Sequence, residues 1–326
     1  QVNQSSIFIE LDIADLNFKN VTFGLYNDSA YFNESSLDYH YGFDLARYQR
    51  VINNSDLALA IDSSDITYNP INETFFVIHN TVGSESIDEI YANGSLRRSI
   101  TLTGFHDTET ITYVNTSGGT HRFIVGEEQR ANLTAIFVDD STTSFNIANG
   151  VRYDLQLGNW GNNGLEGVSY DSRRDVFYIV KEFGEMLVYQ INVSASPVTT
   201  SILINVTKIN ATQGHNINDL SSLYYDNNTD SLFLLSHISQ HAFNVYRNGT
   251  IINNISINHM TQPEGISFSR FGDTMYVIGE ADFYSTWVSA NVSSSINYTG
   301  LGNGTYYYNV TAYDYAGNFN TSFFYP

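Results

Sequence analysis

The sequence predicts an all-β fold: a five-bladed β-propeller, with six blades as the alternative, plus a small Ig-like β-sandwich formed by the N- and C-terminal segments. Three observations point there. A seven-residue motif recurs five times, and each copy opens a run of short strands. The copies lie 43 to 57 residues apart, the size of a propeller blade. The 326 residues include 24 Tyr and 21 Phe but only 15% charged residues, a composition that suits strands better than long solvated helices.

The five copies are SSDITYN (63–69), TETITYV (108–114), LEGVSYD (165–171), LSSLYYD (220–226) and PEGISFS (263–269). Each alternates apolar and polar residues at period two, as a half-buried strand does. A turn and a second apolar strand follow: FFVIHN, RFIVGE, FYIVKE, LFLLSH and MYVIGE. Third and fourth strands read MLVYQINV and TTSILINV after the third copy, and AFNVYRNG and IINNISIN after the fourth. The fifth copy has only MYVIGE and STWVSANV behind it. Its missing outer strand is expected from YQRVIN at residues 48–53, which would close the ring and remove an exposed edge. A sixth blade would need a further, degenerate copy of the motif.

The segments HDTETITY, GLEGVSYD, NDLSSLYYD and QPEGISFS resemble the SdiA-regulated family of secreted β-propellers. The segment IDEIYANGSLRRSITLTGF fits that family's third and fourth strands. The resemblance spans residues 48–292. It implies a propeller in a secreted or periplasmic setting, and it implies no known reaction. The flanks differ. NVTFGLYND near the start and NGTYYYNVTAYDYAGN near the end are similar to strands of Ig-like repeats in surface proteins. The expected organisation is therefore an Ig-like sandwich split between residues 1–45 and 293–326, with the propeller at 46–292 inserted in it, since closure brings a propeller's ends together. One sandwich strand is missing from this reading, and a neighbouring repeat or molecule would supply it.

The formal net charge is −20, which repels phosphate backbones and anionic membranes and admits cations. There are no cysteines, which excludes disulfides, thiolate metal sites and a Cys nucleophile. No stretch approaches the ~20 apolar residues of a membrane-spanning helix. No signal peptide is visible, and a chain beginning at Gln1 in strand-like sequence reads as a processed product. Twenty N-x-S/T sequons point to a secreted, extracellular or cell-surface glycoprotein carrying covalent N-glycans. They start at Asn3, Asn20, Asn27, Asn33, Asn53, Asn72, Asn93, Asn115, Asn132 and Asn192. The others start at Asn205, Asn210, Asn227, Asn248, Asn254, Asn291, Asn297, Asn303, Asn309 and Asn320.

Two columns of the repeat alignment carry candidate chemistry. The second motif position holds Ser64, Glu109, Glu166, Ser221 and Glu264. The end of the following strand holds Asn80, Glu127, Glu182, His237 and Glu280. Equivalent positions in a propeller ring its axis. Glu109, Glu127, Glu166, Glu182, Glu264 and Glu280 are thus candidate ligands of a hard cation such as Ca²⁺, with His237 and Asn80 as weaker ligand-binding candidates. Capping of strand ends is the competing role, and Lys181 is an alternative source of positive charge. Asp139–Asp140 reads equally as a Ca²⁺ loop or an Asx turn. HExxH, GxSxG and Walker motifs are absent, so no catalytic residue is assigned.

The leading functional expectation is a non-enzymatic structural or interaction subunit of a surface layer, sheath or filament. Its partners would be copies of itself or neighbouring surface-protein repeats, joined through Ig-like strands. The alternatives are a cation- or glycan-binding propeller module and a metal-dependent, phosphoesterase-like hydrolase.

Overall fold

Every copy of the motif forms the innermost strand of a four-stranded blade, and there are five blades. The computed structural model describes residues 6–15, 18–27, 30–38, 43–53, 62–81, 83–258, 260–270, 274–279, 282–288, 290–299, 306–314 and 319–324. Blade I comprises Ser63–Asn69, Thr74–His79, Ser86–Tyr91 and Leu96–Thr103, with Ser144–Asn146 added in parallel to its outer edge. Blade II comprises Thr108–Ser117, Thr120–Glu127, Asn132–Val138 and Val151–Asp154. Blade III comprises Leu165–Asp171, Val176–Lys181, Leu187–Asn192 and Thr199–Asn205. Blade IV comprises Ser222–Asp226, Ser231–Ser236, His241–Tyr246 and Ile251–Ser256. Blade V takes Pro263–Phe268, Thr274–Gly279 and Asp282–Val288 from late in the chain, and its outer strand is Phe43–Asn53. The ring is thus closed by an early strand containing YQRVIN, as expected.

Burial follows position in the blade. The second strands of blades I and IV, Thr74–His79 and Ser231–Ser236, are buried along their whole length because neighbouring blades cover both faces. Outer strands are more open: Leu96–Thr103 buries only Ile100 and Leu102. The core is divided into layers between blades. Phe76, Ile78, Phe123 and Val125 pack between blades I and II, and Ile179, Leu165 and Leu133 between blades II and III. Tyr178, Val180, Leu232 and Leu234 fill the layer between III and IV, and Ile66, Phe75 and Ile278 the layer between V and I.

Contacts divide the chain into two compact units. One is Arg47–Arg270 with Thr274–Thr286, and the other is Gln1–Ala46, Phe271–Asp273 and Trp287–Pro326. In the second unit Ser6–Asp15 pairs antiparallel with Ala290–Thr299. Phe18–Asn27 lies between Ala30–Asp38 and Tyr306–Asp314, with Phe319–Phe324 at the far edge. Val21, Phe23 and Leu25 alternate onto the buried face of that sheet, and the Tyr298 hydroxyl donates to the Phe23 carbonyl at 3.1 Å. Two sheets of two and four strands fall short of the full Ig-like sandwich expected, because Ser6–Asp15 has Ala290–Thr299 as its one ladder partner among the described residues. No helix among the described residues is long and apolar enough to cross a membrane.

Candidate metal centre

The acidic column owes its position to a repeated fault in the ladder. Ser63 pairs with His79 and Asp65 with Ile78, so Ser64 is skipped. Thr108 pairs with Glu127 and Thr110 with Gly126, which skips Glu109. Leu165 and Gly167 pair with Lys181 and Val180, leaving out Glu166. Pro263 and Gly265 pair with Gly279 and Ile278, leaving out Glu264. Each skipped residue is a β-bulge, which breaks the in–out alternation and re-aims one side chain. The second motif position thereby turns away from the blade faces, and its carboxylates converge.

They meet acids from the next strand and the preceding loop. Carboxylate oxygens of Asp107, Glu109 and Glu128 lie within 4.8 Å of one another, and so do those of Glu128, Glu166 and Glu182. Asn80 donates from Nδ2 to Asp107 Oδ1 at 3.2 Å and to Glu109 Oε1. The Gly164 amide donates to Glu128 Oε1 at 3.0 Å. Among the described residues no Lys, Arg or His forms an ion pair with Glu109, Glu128, Glu166 or Glu182.

Burial without a cationic partner favours the neutral acids. It raises Glu109 to about 8, with the charges of Glu128 and Asp107 adding to the effect and hydrogen bonds from Ser64 and Asn80 opposing it. Glu182 rises to about 8 through burial and the charges of Glu128 and Asp219. Glu128 rises to about 7, again mainly through burial. Glu166 is pushed well above the usual carboxylate range by burial and then by Glu109, Glu182, Glu128 and Glu264.

The expected ligands divide as follows. Glu109, Glu166 and Glu182 are brought together. Glu264 adds charge beside Glu166 and lies 3.5 Å from His237 Nδ1. Asn80 sits in the site, while Glu280 lies outside the described residues. Glu127 is in neither group: it pairs with Arg130 at 3.3 Å and Arg152 at 3.7 Å, and it accepts the His106 amide at 3.2 Å. Glu128 occupies the place expected of Glu127. Strand pairing sets Phe75, Phe123, Phe177, Leu232 and Met275 opposite the sixth motif residue, so the second strand of blade II aligns as FIVGEE rather than RFIVGE. Five residues after those positions stand Asn80, Glu128, Glu182, His237 and Glu280. Anchoring the alignment on the aromatic Phe123 would have found Glu128. Asp107 gives no such signal, because it precedes its motif in a left-handed conformation at φ 61°. Asp139 caps an Asx turn through the Ser141 amide at 2.9 Å, and Asp140 bonds Arg97, so that pair serves a loop.

At the other end of the axis the inner strands of all five blades line a cavity of about 240 Å³. Its walls include Tyr68, Tyr113, Tyr170, Tyr224, Tyr225 and Phe268. Here hydroxyls satisfy the inner strands' free edges: Thr67 accepts the Tyr113 amide at 3.0 Å, and Ser169 accepts the Tyr225 amide at 2.8 Å. Between the two ends lies Asp65, which is 1% exposed. It accepts from Thr110 Oγ1 at 2.7 Å, the Ile111 amide at 3.0 Å and Ser222 Oγ at 3.0 Å, tying blades I, II and IV. Blades III and V have glycine at the corresponding position. A Cβ on Gly167 would meet the Leu223 nitrogen at 2.7 Å, and one on Gly265 would meet Asp65 Cα at 2.8 Å.

The profile of the SdiA-regulated family matches residues 42–286, three quarters of the sequence. The chain belongs to the SdiA-regulated family. Among solved structures it is similar to a luciferin-regenerating enzyme, with a TM-score of 0.47 and 10% identity over 70% of this chain and 91% of that one. It is also similar to a chain of a nidogen/laminin complex, with a TM-score of 0.44 and 11% identity over 94% of each. A streptogramin B lyase gives 0.40 and 9%, covering 82% of this chain and 85% of that one.

Proposed function

We propose that this SdiA-regulated propeller is a secreted, glycosylated component of a cell surface or extracellular assembly, and that the acidic end of its axis binds Ca²⁺. The observation that carries the reading is the convergence of Asp107, Glu109, Glu128, Glu166 and Glu182 with no basic ion-pair partner among the described residues. Such a buried cluster is costly unless a positive charge joins it. An all-oxygen donor set from carboxylates is the ligand chemistry of a hard divalent cation.

Several sequons are well placed to carry glycans. Asn93 and Asn248 are exposed in turns, where each side-chain oxygen accepts the amide two residues on, and Asn115 and Asn254 are also exposed. Asn132 is 8% exposed, and both amide atoms of Asn210 are bonded to Ile217, so these two are expected to stay bare. The paired terminal strands are the proposed route to neighbouring copies or repeats, in an Ig-like arrangement completed from outside the chain.

Calorimetry of the chelator-treated protein with Ca²⁺ tests the reading. Saturable binding and a raised melting temperature are expected. No heat and an unchanged melt would overturn the cation site. A binding role also predicts no turnover of ester or phosphoester substrates with Ca²⁺ present.

A further inference from the structure

We infer that the acidic end holds two Ca²⁺ ions bridged by Glu128. This rests on the cation-binding reading above and goes further in stating the number of ions and their ligands. The carboxylates form two groups of three, Asp107–Glu109–Glu128 and Glu128–Glu166–Glu182, and Glu128 is their one shared member. Each group is compact enough for a single ion. Ligand oxygens lie about 2.3–2.6 Å from Ca²⁺, so two of them sit at most about 5 Å apart across it, and each group spans no more than 4.8 Å.

The orphaned oxygens around the first group point independently to a ligand. Asp107 is 8% exposed, and its Oδ2 is buried with no hydrogen-bond partner although Oδ1 is held by Asn80. Asn80 Oδ1 is likewise buried and unpaired, while its Nδ2 is spent on Asp107 and Glu109. An unpaired carboxylate oxygen buried within the first group is a donor a hard cation would take.

Glu128 is built to serve as the bridge. Its backbone amide donates to the Asp107 carbonyl at 2.9 Å, fixing it beside the first group. The Gly164 amide holds Oε1, and a Cβ on Gly164 would lie 2.6 Å from the Glu128 carbonyl oxygen and 2.9 Å from its Cγ. Glycine at 164 therefore lets the two segments close on each other. A carboxylate with two oxygens can offer one to each ion.

The test is the Ca²⁺ stoichiometry of the full chain after chelator treatment, by calorimetry with elemental analysis of the dialysed complex. Two ions per chain are expected in the wild type. Glu182→Gln should retain one, held by Asp107, Glu109 and Glu128, and Glu109→Gln should retain the other. Glu128→Gln should lose both, while thermal melts in chelator show each variant folded. One ion in the wild type, lost alike in Glu109→Gln and Glu182→Gln, overturns the bridged pair and leaves the cation-binding reading standing. No bound ion in the wild type overturns both.

Discussion

The two ends of the propeller axis are made from the same five strands, yet they differ in kind. At the end where the motif begins, bulged residues bring carboxylates together that lack cationic partners. At the end where it finishes, regular pairing resumes, and tyrosines and hydroxyls line a cavity and satisfy strand edges. The second end also carries strong links between blades. Arg174 reaches Asp171 and Asp230 at 2.8 Å and the Tyr225 hydroxyl at 3.0 Å, joining blades III and IV. One end thus supplies stability and the other draws on it, as binding sites commonly do.

The contrast depends most on the residues at mid-axis. Asp65→Ala strands three donors, one of them a backbone amide, and should cost about 3–5 kcal/mol in denaturant melts. A loss below about 1 kcal/mol would mean that the blades hold together without this tie. Gly265→Ala drives a methyl group into Asp65 Cα and the Ile66 nitrogen at 2.9 Å, and about 2 kcal/mol should be lost. Arg174→Ala, at the stable end, leaves buried Asp171 with the Tyr178 hydroxyl and two backbone amides. It should cost about 1–2 kcal/mol, reduced by the partial exposure of the Arg174–Asp230 pair. At the acidic end the sign reverses. Glu166→Gln removes one buried acid whose ionisation the site opposes, and should stabilise the chelator-treated protein by about 1 kcal/mol while reducing its stabilisation by Ca²⁺. A destabilised Glu166→Gln protein in chelator would show that the acids are satisfied as they stand.

A pH profile compared with that of Asp65→Asn isolates the mid-axis carboxyl, since Glu109, Glu128 and Glu182 titrate in the same range. Burial lifts Asp65 from its ordinary 3.8 to about 7 in spite of its hydrogen bonds. The folded chain therefore keeps a proton that the unfolded chain releases. The associated stability is fully present below pH 3.8 and is lost as pH rises to about 7. Urea midpoints should carry this slope in the wild type, and Asp65→Asn should remove the Asp65 share of it. An identical slope in the variant would assign it to other acids.

Much of the fold was legible because it is written locally. Period-two alternation and the repeated motif placed all five inner strands, and an incomplete last blade called for the early strand that supplies its outer edge. The acidic site was legible only in part. Glu109, Glu166 and Glu182 stood in columns that a propeller must bring together. Glu128 was missed for Glu127 because the alignment started one residue early, on Arg122 instead of Phe123. Asp107 stood outside every column.

Repetition in the chain is enough to specify the strands and the blades that are continuous in sequence, while the fifth blade is completed by Phe43–Asn53 from early in the chain. The tie at Asp65 and the sharing of Glu128 between two groups of acids belong to the assembled ring. Each depends on how closely backbones from different blades approach, as at Gly164, Gly167 and Gly265, and no single repeat contains that distance.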